Sequence, residues 1–153
     1  MPRVLALAMM LGLAGLAQSA EDKKVDKKEI EALEGTWIPE SAELAGAMFP
    51  DETRKAMKLV LKGDAYTLNI GPKADKGTVK LFTGKKIKEM DIAGTEGPNK
   101  DKTFLAIYEL DKDTLKVCYD LGGKDRPTEF KTGPAEQRPP KGKLMYTFER
   151  VKD

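Results

Sequence analysis

The chain has 153 residues, with 27 lysines and arginines against 25 aspartates and glutamates, a formal net charge of +2. Charge this plentiful and this balanced makes a solvated surface and offers no strong field for nucleic acid. There is no histidine and only one cysteine, Cys118, which removes the usual general base, the usual activator of a nucleophile, a thiolate metal site and any internal disulfide.

The first residues differ from the rest. Met1-Pro2-Arg3 is a short basic start, residues 4–16 are apolar apart from small glycines, and Ala17-Gln18-Ser19-Ala20 offers small residues for cleavage. This is the layout of a secretory signal peptide. Its apolar run is shorter than the roughly 20 residues of a spanning helix, so no membrane span is expected. Residues 1–19 are read as the signal, with cleavage after Ser19 and export to the periplasm or the medium. Residues 20–32 are a charged lead-in, in which Asp26 followed by Glu29 resembles a capping box for a short helix or turn. Residues 33–153 form one domain.

Strand follows strand from Gly35 onward. Period-2 alternation and turn chemistry predict strands at 36–44, 58–62, 65–70, 77–82, 88–92, 103–110, 114–120 and 143–151. Lys62-Gly63-Asp64, Gly71-Pro72, Thr83-Gly84, Gly94 to Pro98 and Asp111-Lys112-Asp113 supply the breaks. One interior helix is predicted after Pro50, with Asp51 and Glu52 at its start and Arg54 and Lys55 at its end, matching the helix dipole. Residues 122–142 read as a long, proline-rich irregular connection. Pro39 cannot donate to a ladder, so the first strand is expected to bulge or bend there. The sum is an all-β fold: an antiparallel eight-stranded up-and-down barrel with one or two short helices.

The barrel reading assigns the lone tryptophan a task. If Tyr146 and Phe148 face inward, parity turns Arg150 inward too. With an even number of antiparallel strands, the end of the last lies beside the start of the first. The Arg150 guanidinium then lies over the Trp37 indole, a contact of roughly 1–2 kcal/mol, and Gly35 permits the close approach. Trp37 is thus expected to plug the barrel structurally.

At these residues a resemblance emerges. Gly35-Thr36-Trp37 looks like the Gly-x-Trp signature of lipocalin-like barrels, and Arg150 matches the arginine such barrels place across that tryptophan. "LEGTW" at 33–37, the stretch 97–118 and "GKDRPTEF" at 123–130 together resemble a lipocalin-like domain family of planctomycete bacteria. That resemblance implies an exported barrel closed by Gly35, Trp37 and Arg150, and it implies no particular activity.

The remaining chemistry is sparse. Asp111, Asp113, Asp120, Asp125 and Glu129 gather in the C-terminal half, but glycoside chemistry needs two carboxylates facing across a cleft. Asp111 and Asp113 flank a turn and should point outward. No catalytic residue, metal or cofactor is assigned, and an enzyme is not expected. Cys118 reads as a small semi-buried wall residue, or as a thiol that Lys116 helps to ionise. Arg126 either holds an anion or serves the loop itself, through Asp125, Glu129 or backbone carbonyls. Tyr66, Leu68, Phe104, Tyr108, Tyr119, Tyr146 and Phe148 are expected to line the lumen, with residues 47–49 and the following helix over its mouth. Aromatic walls with a few hydroxyls suit a small apolar or amphipathic ligand. The alternative is a side-chain-filled barrel acting as a structural or protein-interaction module of the cell envelope.

Overall fold

A computed structural model describes residues 27–133 and 142–152. The signal peptide, its cleavage site and the Asp26 half of the capping box lie outside the described residues. Among those described, helix α1 covers residues 27–33. It is followed by β1 (Gly35–Leu44), β2 (Ala47–Met48), α2 (Asp51–Lys55), β3 (Met57–Lys62), β4 (Ala65–Ile70), β5 (Lys73–Phe82), β6 (Lys88–Glu96), β7 (Thr103–Asp111), β8 (Thr114–Asp120) and β9 (Lys143–Arg150). No helix among the described residues is long and apolar enough to cross a membrane.

The long strands pair antiparallel in chain order, and β1 pairs with both β3 and β9. That closes an eight-stranded barrel without a free edge. The two-residue β2 turns back on the end of β1 through Ala45 and Gly46, which take φ values of 47° and 82°, the positive-φ pair of a tight hairpin. The β1–β9 ladder shifts register between Pro39 and Ser41, so the proline does make a bulge. Arg54 of α2 donates to the carbonyl of Pro39 at 3.1 Å, tying that helix to the bulge.

Two strands are longer than their sequence suggests. β5 begins at Lys73 because the two residues Gly71 and Pro72 already complete the hairpin, and Ile70 pairs with Lys73. β6 runs on to Glu96, past Gly94, because Ala93 and Gly94 find partners in Thr78 and Gly77. In each case the ladder overrides a polar or glycine-rich local sequence.

Inward positions alternate along each strand: Met57, Leu59 and Leu61 on β3, Val79 and Leu81 on β5, Leu144, Tyr146 and Phe148 on β9. Each such side chain contributes about 1.5–3 kcal/mol through burial.

Helix α1 closes one end. Leu33, only 2% exposed, and Ile30 pack into the core there. The last carbonyls of a helix have no partner within it, and here the first and last strands supply the donors. Trp37 Nε1 donates to Leu33 O at 3.0 Å, Arg150 Nη2 to Ala32 O at 2.7 Å, and Arg150 Nη1 to Glu34 O. The guanidinium lies 4.4 Å from the Trp37 ring centroid, in register with it across the seam. A Cβ on Gly35 would press on Arg150 Nη1 at 3.3 Å. The charged lead-in therefore supplies the plug that the tryptophan and arginine hold. Its Glu29 also accepts from Lys88 Nζ at 2.6 Å and Tyr108 Oη at 3.2 Å.

Candidate functional site

Among the described residues, free space in the lumen lies toward the opposite end. A cavity of about 60 Å³ lies there, and six of the seven aromatic and aliphatic residues expected in the lumen line it: Tyr66, Leu68, Phe104, Tyr119, Tyr146 and Phe148. Phe104 packs on Tyr119 at 5.2 Å between centroids, and Tyr146 stacks on Phe148 at 5.0 Å. Tyr108 also faces inward, but at the closed end, where its hydroxyl meets Glu29 instead of the cavity. Phe104 and Tyr108 lie on the same strand, β7, and on the same face, so parity alone does not tell a mouth residue from a floor residue. Phe49, after β2, packs edge-on to Tyr146 at 6.4 Å. It is the part of the expected mouth cover that reaches the core, since α2 has no buried residue.

Two polar residues in this wall were not anticipated: Asp75 and Asn99. Asp75 is only 6% exposed. Its carboxylate accepts from Tyr66 Oη at 3.4 Å, from the Asn99 backbone N–H at 3.3 Å and from Asn99 Nδ2 at 2.9 Å. Two glycines make the arrangement possible. A Cβ on Gly77 would lie 2.0 Å from Ala93 O and 2.6 Å from Tyr66 Cε1, so only glycine lets the Tyr66 ring cross β5 toward Asp75. A Cβ on Gly94 would lie 1.9 Å from Asn99 O, so only glycine lets the β6–β7 loop fold inward and present Asn99.

The tyrosine hydroxyls are held neutral. Burial first, then the Asp75 carboxylate, raises Tyr66 far above the ordinary tyrosine range. Burial likewise raises Tyr119 and Tyr146. The mouth thus carries an apolar, aromatic chamber with three neutral hydroxyls, one amide and one carboxylate. Such a set can orient the polar end of a small molecule by hydrogen bonds while the rings hold its apolar part.

The other sequence candidates lie elsewhere. After β8 the chain folds over the outer wall of the barrel, and Arg126 pins it. Its Nε meets Glu89 at 3.0 Å, its Nη2 meets Asp91 at 2.6 Å, and its Nη1 bridges the carbonyls of Met90 and Ala106 at 3.2 and 2.7 Å. The guanidinium is filled by the protein's own oxygens, and an external anion would have to displace Glu89 or Asp91. Thr132 continues the strap, donating to Glu43 Oε1 at 2.6 Å and accepting from Gly46 N at 2.9 Å. Cys118 lies sealed under it, with no exposed surface and Sγ 3.8 Å from Lys131 O. Burial pushes its thiol up, opposite to what a reactive cysteine requires. Lys116, the expected activator, instead places its ammonium over the Phe130 ring at 5.5 Å. The acids do not converge: Asp113 pairs with Arg150 at 3.1 Å, Asp120 accepts from Gly122 N at 2.8 Å, and Glu129 pairs with Lys131 at 3.7 Å. No group of three potential ligand side chains gathers for a metal among the described residues.

No protein-family model, no curated protein and no solved structure matches the chain.

Proposed function

We propose that this is an exported, non-enzymatic binding module that takes a small amphipathic molecule into the open end of its barrel. The single observation that carries the reading is the chamber itself. Polar groups deep in a barrel are costly unless they are satisfied, yet Asp75 and three tyrosines are turned toward a shared cavity. A barrel serving only as scaffold packs more stably with apolar side chains there. The resemblance of Gly35-Thr36-Trp37 and Arg150 to lipocalin-like barrels supports the exported-barrel part of this reading, as does the signal-like start of the chain.

Size restricts the ligand. At roughly 10–15 Å³ for each water-sized occupant, about 60 Å³ holds about four to six non-hydrogen atoms. Drug-sized ligands occupy chambers of about 300–1,000 Å³, so a long acyl chain is not the occupant of this conformation. Native mass spectrometry of the protein purified from its own host, paired with a denatured spectrum, tests the reading. Extra mass that leaves on denaturation supports it and weighs the ligand. Apo mass, together with no shift of the Leu68, Val79 or Ile92 methyl resonances in a screen of small amphipathic compounds, refutes it and favours the scaffold reading.

A further inference from the structure

We propose that the ligand is a small organic ammonium ion, with its charged nitrogen against the Asp75 carboxylate and its carbon chain among the lumen rings. This rests on the lumen-binding reading above and names the class of ligand for that same chamber.

The argument starts from an unbalanced charge. On the outer wall, the half-buried carboxylates of Glu89 and Asp91 share the Arg126 guanidinium. Asp75 is buried more deeply, and among the described residues it pairs with no lysine or arginine. Its three partners are all neutral donors, an O–H and two N–H groups. An acceptor-only pattern is that of a carboxylate, and a buried carboxylate without a counter-charge is strongly disfavoured. Among the described residues, no basic side chain lines the chamber.

The walls suit the same guest. Five aromatic rings face the chamber, and the ring-bound cations of the described residues lie over Phe82, Phe130 and Trp37, none of which lines it. Ring faces attract a cation, most when it is desolvated. The alternatives fit less well. An anion would be repelled by Asp75. Calcium needs six to eight oxygen ligands, and magnesium near-octahedral oxygens, whereas the described residues offer one carboxylate, one amide and phenolic hydroxyls. A neutral alcohol satisfies the hydroxyls but leaves the charge unmatched. The volume admits an alkylammonium of about three to five carbons beside its nitrogen.

The test compares molecules of one shape and different charge. n-Butylammonium, n-butanol and n-butyrate are titrated into the protein in phosphate buffer free of amines, following the ring resonances of Tyr66, Tyr119 and Tyr146. The expected result is that n-butylammonium binds on the order of tenfold or more tightly than n-butanol, with n-butyrate weakest. Asp75→Asn should remove that preference and leave n-butanol within about threefold. If Asp75→Asn does not fold, as judged by Trp37 emission, the amine-to-alcohol ratio of the unaltered protein decides. n-Butanol binding as well as the amine overturns the ammonium assignment while the lumen reading stands. If none of the three moves the lumen resonances, both fail.

Discussion

Replacing Arg150 by alanine should loosen the whole closed end of the barrel, because one guanidinium serves three elements. Its stacking on Trp37 at 4.4 Å contributes about 1–2 kcal/mol. Its charge-assisted bonds to the carbonyls of Ala32 and Glu34 contribute about 1.5 kcal/mol each at the lower end of their range. The pair with the half-exposed Asp113 adds less than about 1 kcal/mol. These terms share one group and do not add in full, so a loss of about 3–4 kcal/mol is expected. That is a large part of the 5–15 kcal/mol typical of a domain. Arg150→Lys keeps a cation over the indole but loses the fork, and should cost about half as much. Asp113→Ala should cost under about 1 kcal/mol. The assay is urea unfolding followed by the emission of Trp37, the only tryptophan in the chain. Acrylamide quenching in the native state reports whether α1 has lifted away. A loss below about 1 kcal/mol for Arg150→Ala, with Trp37 still unquenched, would refute the reasoning that this arginine locks the plug.

Gly77→Ala places a Cβ 2.0 Å from Ala93 O, a backbone clash that should cost about 3 kcal/mol or prevent folding. The exposed neighbour Thr78→Ala should change stability by no more than about 0.5 kcal/mol, and equal urea midpoints for the two would count against the packing argument. Alkali should unfold the protein. Tyr66, Tyr119 and Tyr146 keep their protons in the folded state above the unfolded value of about 10. Their contribution is therefore full below about pH 10 and is lost above it, at up to about 1.4 kcal/mol per pH unit for each tyrosine. The urea midpoint should fall between about pH 9 and about pH 11, and tyrosinate absorbance for these residues should rise only with unfolding. Ionisation of all of them in the folded protein would contradict it. Arg126→Ala should free the strap at a cost of about 2–3 kcal/mol, open a protease site within residues 121–133 and make Cys118 accessible to a thiol reagent. A Cys118 that stays inert would show that the strap holds without Arg126.

Much of the architecture was legible because it depends on short-range rules. Alternation along Leu115, Val117 and Tyr119, and along Leu144, Tyr146 and Phe148, assigns the inward face without knowledge of any neighbour. Turn residues mark where each strand ends, and the even strand number brings Arg150 to Trp37. The candidate chamber was half legible. Its aromatic wall follows from parity, but Asp75 sits in Lys73-Ala74-Asp75-Lys76, a polar run that reads as loop. The same parity, carried back from Leu81 and Val79 through Gly77, places Asp75 inward. That signal is visible only once the strand is known to extend that far.

By itself, then, the sequence determined strand class, strand order, the bulge at Pro39 and the seam between Trp37 and Arg150. These follow from the period of the backbone and the chemistry of turns, which act over a few residues. Only the tertiary structure decided which inward residues share the open end, that α1 plugs the other, and that Arg126 serves a strap on the outer wall. It also decided that Asp75 is buried with no cation beside it among the described residues. Each of these depends on which distant strands lie side by side and how far their ladders run, and that is set by cross-strand pairing over the whole barrel.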